Sequence, residues 1–151
     1  GQSFPAAWIW FQTNHYDQPL TSLTASVAII PWQGRSFPGF IVGLWHDGLL
    51  YRFTTYLGAR IERLELNDDH VAWTLRSRRY RLDLVATRAA GGLLAGPTRQ
   101  NMGKRVEETL SATVDVRLTD ASGAQLFHGR GRHAGLEVNG DLARLLSMVS
   151  G

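Results

Sequence analysis

The chain has no cysteine, which excludes disulfides, thiolate metal sites and a cysteine nucleophile. It has no apolar run approaching the length of a membrane span and no signal peptide at its start. A cytoplasmic or membrane-peripheral location is therefore expected. No serine nucleophile elbow or phosphate-binding glycine loop is present. None of the five histidines pairs with another at metal-ligand spacing; His128 and His133 on a glycine-rich strand are not a zinc signature, so no metal site is expected. Charge of one sign is not in excess: 16 basic and 13 acidic residues leave a net charge of +3. Basic residues are scattered apart from 76–81 and 130–132, a weak signal for nucleic acid, and no nucleic-acid partner is expected.

What is present is a strand-rich chain. Its 151 residues suffice for one domain with a real core or a small closed barrel. An apolar fraction of 44% with 10% aromatics is that of a globular protein. Residues 6–14 read as a first strand, with Trp8, Trp10, Gln12 and Asn14 on one side and Ile9, Phe11 and Thr13 on the other. Being apolar on both faces, it should be covered on both. Residues 22–30 follow with Leu23, Ala25, Val27 and Ile29 on one face, and 31–38 should break the chain at its two prolines. A third strand, 40–45, turns tightly at His46-Asp47-Gly48 into 49–56. Strands at 59–66, 71–75 and 79–86 are separated by Asn67-Asp68-Asp69 and Ser77-Arg78. Residues 88–105 have no period and read as a long, functional loop.

Residues 106–118 form the cleanest alternation. Val106, Glu108, Leu110, Ala112, Val114, Val116 and Leu118 share one face, and Glu108 is the lone charge in that row. Burial favours the protonated form of such a carboxyl, which can then donate a proton in an apolar cavity. The alternative is a strand-mouth residue paired with Arg105 or another arginine. Residues 125–138 form a long strand whose Gly129, Gly131 and Gly135 suggest bulges or close backbone approach. Asn139-Gly140-Asp141 caps a short helix, 142–149. About nine antiparallel strands and one terminal helix predict an up-and-down barrel or sandwich, and with the helix outside, a lipocalin-like (calycin) barrel able to hold one small apolar ligand.

Several stretches, taken in order, resemble the C-terminal half of tocopherol cyclases: Gly1-Gln2-Ser3-Phe4-Pro5 with Trp8-Ile9-Trp10-Phe11-Gln12-Thr13-Asn14, then Asp47-Gly48-Leu49-Leu50-Tyr51-Arg52-Phe53, Gly96-Pro97-Thr98, and Ala134-Gly135-Leu136-Glu137-Val138. The plant-type glycine-rich ending and Cys-Arg-Asp-Ser are absent, and the pattern is closer to bacterial members. The resemblance implies half of a longer protein, whose other half is a related lipocalin-like domain; the opening without Met agrees with a piece cut from a longer chain. Packing against that domain, self-association or peripheral membrane contact is then expected.

The implied activity is closure of a prenylated hydroquinone to a chromanol. A general acid protonates the side-chain double bond and a phenol oxygen closes on the tertiary cation, with no cofactor. On that reading Glu108 is the acid and Glu137 a second one. Trp8 and Trp10 offer ring faces to the cation. Gln12 and Asn14 hold the hydroquinone hydroxyls, and Tyr51, within a matched stretch, joins the binding set. Each has a plainer alternative: core aromatics for the tryptophans, rim hydrogen bonds for the amides, a salt bridge for Glu137. The competing functional reading is a non-catalytic lipocalin-like domain that binds an apolar ligand or a partner domain.

Overall fold

The computed structural model describes residues 6–88 and 111–150. Their strands are β1 (Ala7–Thr13), β2 (Ser22–Trp32), β3 (Arg35–His46), β4 (Leu49–Thr54), β5 (Arg60–Leu66), β6 (His70–Arg76), β7 (Tyr80–Thr87), β8 (Ala112–Asp120) and β9 (Gln125–Gly140), followed by helix α1 (Leu142–Ser150). All pair antiparallel in one sheet of order β4-β3-β2-β1-β9-β8-β7-β6-β5. The sheet curls into a half-barrel. Its end strands, β4 and β5, follow one another through a 3₁₀ turn at Thr55–Leu57 but are not hydrogen-bonded to each other, so a seam stays open where full closure was expected.

The alternation of apolar residues decides which way each strand faces. Leu23, Ala25, Val27 and Ile29 of β2, Leu82, Leu84 and Ala86 of β7, and Val114, Val116 and Leu118 of β8 are buried on the inner face. At the centre Trp73 of β6 meets Phe11 of β1 at a ring-centroid distance of 6.0 Å and Phe40 of β3 at 6.5 Å, both edge-to-face. Each large side chain buried in this way contributes about 1.5–3 kcal/mol relative to exposure.

Turn chemistry sets the connections. Gln33 and Gly34, and Asp47 and Gly48, adopt positive φ in two-residue hairpins. The first corrects the expected break at 31–38. β2 and β3 run through both prolines to a turn at their tip, because the prolines fall where each strand has lost its second neighbour. β1 pairs with β2 only as far as Ala28, and β4 with β3 only from Ile41. A proline's missing N–H costs nothing at such an open edge. The hairpin tip therefore projects as a two-stranded ribbon.

β9 is the spine of the sheet. Its residues 125–134 pair with β8 and 135–140 with β1. A bulge at Arg132-His133, with His133 at φ 51°, switches the inward row from Phe127 and Gly131 to Ala134, Leu136 and Val138. The close approach expected at the glycines is present: a Cβ on Gly131 would lie 2.7 Å from Cζ of Tyr16, and one on Gly135 3.0 Å from the Trp10 ring. Residues 14–21 fold back over this strand, tied by Arg132 N–H to His15 O (3.1 Å) and Thr13 Oγ1–H to Arg132 O (2.6 Å). α1 starts where Asp141 Oδ1 accepts the N–H of Arg144 (3.1 Å) and packs Leu142 and Leu145 against β1, β3 and β5. Among the described residues no helix is long and apolar enough to cross a membrane.

Candidate lipid groove on the outer face

The two halves of the sheet differ on their outer faces. On β5–β9 the outward row is charged and cross-linked: Arg76 Nε donates to Glu62 (2.9 Å), Arg130 Nε to Asp115 (2.8 Å), and Thr74 Oγ1 to Asp83 (2.7 Å). On β1–β4 the outward row has no carboxylate and is largely apolar, with Gln12, Arg35 and Arg52 as its long polar side chains. Trp8 and Trp10 belong to it, half-buried, because their neighbours Ile9 and Phe11 take the inner face.

Register places the outward residues side by side. Trp8 stands between Ala28 and Asn139, and Trp10 between Ser26 and Glu137. The next row out is Gly39 beside Ala28 and Ile41 beside Ser26. These small residues floor a groove of about 360 Å³ walled by Ile30, Phe37, Ile41 and Tyr56. Gly39 is needed there: a Cβ would come within 2.6 Å of Ile30 Cγ1 and 3.3 Å of the Phe37 ring. The groove is apolar and open to solvent; on the β1 side its floor meets Trp8 and Trp10, and the half-buried Glu137 of β9 stands beyond Trp10. Indole faces stabilise a nearby cation through their ring quadrupole.

The expected site residues separate into three groups. Trp8, Trp10, Gln12 and Glu137 come together on the outer face of β1 and β9, with Gln12 exposed between Thr24 and Gly135. Asn14 is exposed just past the end of β1. Tyr51 lies on the inner face of β4, its ring edge-to-face with Tyr80 at 5.0 Å. Burial first, then the Tyr80 and Asp47 charges, raise the pKa of its phenol. Glu108 and the loop 88–105, apart from Arg88, lie outside the described residues.

The groove walls were not singled out from the sequence. Their signal was the second apolar row of β2 and β3, where Ala28, Ile30, Phe37 and Ile41 alternate with the core row. Among the described residues no three His, Asp or Glu side chains converge to hold a metal ion.

No curated protein and no solved structure gives a significant match to the chain. A family profile described as tocopherol cyclase-like matches residues 1–140. With the match spanning nearly all of it, the chain belongs to the tocopherol cyclase-like family.

Proposed function

We propose that this domain binds a prenylated hydroquinone, or a similar apolar lipid, in the outer-face groove and closes it to a chromanol by acid initiation. The observation that carries the reading is the register that sets Trp8 and Trp10 beside the floor of an apolar groove, with Glu137 next to Trp10 on its other side. The prenyl tail fills the furrow over Ser26, Ala28 and Gly39 and excludes water from it. On this reading Glu137 is the general acid that gives a proton to the double bond nearest the ring, leaving a tertiary cation beside the indoles. A phenol oxygen forms the new C–O bond, and its proton returns to the carboxylate. Atoms and charge balance without an oxidant or a cofactor. Glu108 is the second candidate for the acid. Gln12, two residues along β1 from Trp10 on the same face, is assigned the hydroquinone hydroxyl on this reading, with Asn14 extending that polar end.

The test is chromanol formation by the full chain from a prenylated hydroquinone in detergent, read by mass spectrometry. Glu137→Gln should lower turnover by about 100-fold or more with substrate binding retained, the size of a general-acid contribution. Loss on Glu108→Gln alone would move the acid to that position. A second reading, binding without turnover, is favoured by the openness of the groove, whose rim residues Ile41 and Tyr56 are 58% and 73% exposed. Saturable binding with no chromanol from any variant would establish it.

A further inference from the structure

The projecting hairpin and the outward row of β2–β4 carry more exposed apolar surface than a ligand groove requires. Trp32 at the hairpin tip is 63% exposed, and Trp45 and Leu50, beyond the groove at its other end, are 41% and 51% exposed. Single exposed apolar residues are ordinary; a contiguous aromatic face marks a contact surface.

The charge on this face says what covers it. β2, β3 and β4 contain no aspartate or glutamate. Arg35, the register partner of Trp32, and Arg52, the register partner of Gly43, are exposed on the outward row and form no ion pair among the described residues. The contrast with β5–β9, where Arg76, Arg81 and Arg130 each hold a carboxylate, is sharp. A second copy docking through the same face would bring both copies' Arg35 and Arg52 together with no carboxylate from β2, β3 or β4 between them, which like-charge repulsion opposes. Phospholipid headgroups supply the missing anions. Tryptophan favours the headgroup level of a bilayer, and guanidinium binds phosphate through its fork of N–H donors.

We propose that the β2–β3 hairpin and the outward row of β2–β4 form a seat for an anionic lipid bilayer surface. Trp32 and Phe37 enter the interface while Arg35 and Arg52 engage phosphates around them. The seat does not depend on the cyclase reading, since it is tested without any prenyl substrate.

The experiment is co-sedimentation of the full chain with vesicles of phosphatidylcholine alone and of equimolar phosphatidylcholine and phosphatidylglycerol. The chain should pellet with the mixed vesicles, weakly or not at all with the neutral ones, and less as salt rises. Arg35→Glu with Arg52→Glu should weaken binding by about tenfold or more, and Trp32→Ser should weaken it as well. Both changes are on exposed positions, and unchanged circular dichroism melting separates lost binding from lost fold; Arg52→Gln alone serves if the double variant does not fold. Equal binding to the two vesicle types, no binding to either, or binding indifferent to these substitutions overturns the seat. So does a stable dimer in sedimentation that Trp32→Ser dissociates, which would give the face to a second copy.

Discussion

Trp73 offers a test in which two substitutions at one position should diverge. The side chain is 1% exposed and is gripped edge-on by Phe11 and Phe40. Its indole Nε1–H is buried and meets no acceptor among the described residues. Trp73→Ala removes the whole ring and both aromatic pairs, a loss of about 3–5 kcal/mol. That is a large share of the roughly 5–15 kcal/mol that holds a domain folded. Trp73→Phe removes only part of the ring, about 1–2 kcal/mol of burial. It also deletes a buried donor whose lack of a partner costs about 1–3 kcal/mol. The two nearly cancel, so Trp73→Phe should fall within about 1 kcal/mol of the parent. Urea unfolding followed by circular dichroism reads both, provided the slope is unchanged so that the midpoint shift reports stability. A Trp73→Phe loss as large as that of Trp73→Ala would refute the reasoning. The N–H would then have an acceptor, and that bond, more than the bulk of the ring, would hold the centre.

Two further outcomes follow from the backbone and from one buried phenol. Gly140 has φ 86°, and a Cβ there would lie 2.7 Å from the carbonyl carbon of Ala6, so Gly140→Ala should cost about 2–4 kcal/mol from strain and overpacking together. Gly34 has φ 77° but open space, so Gly34→Ala should cost only the strain, about 1–2 kcal/mol; equal thermal shifts for the two would show that the clash is relieved. Burial first, and then the charge of Asp115, push the phenol of Tyr16 well above its ordinary pKa. The unfolded chain therefore loses that proton above about pH 10 while the folded chain keeps it, and stability falls as pH rises past that point. Tyr16→Phe should flatten this alkaline fall in the urea midpoint; an unchanged slope would mean that Tyr16 ionises in the folded protein.

Much of the fold was legible because alternation is a local signal. The rows Leu23-Ala25-Val27-Ile29 and Val114-Val116-Leu118 announce their inner face, and Asp47-Gly48 announces its turn, from residues within one strand or hairpin. The turn at Gln33-Gly34 was hidden by Pro31 and Pro38, since a proline stops a strand only when its N–H is needed, and that depends on how far β1 and β4 reach. The site was less legible for the same reason. A strand apolar on both faces, such as β1, does not say which face is inner; Trp73 decides that by packing on Phe11 from across the barrel. Tyr51 sits in a stretch that matches the family in sequence, yet its side chain points to the other side of the sheet from Trp8, Trp10 and Glu137. The groove is formed by cross-strand neighbours, and register is not written in any single strand.

The pairing of β1 with β9 has a kinetic meaning. Every other ladder among the described strands joins elements consecutive in strand order, so β1–β4 and β5–β9 are two meanders whose pairings are comparatively local. The sheet becomes one object only when the first strand finds the last, against the loop entropy of almost the entire polypeptide between them. That late encounter also brings Glu137 beside Trp10. In a hairpin-first order of folding, Trp10 and Glu137 therefore meet only in the closing ladder.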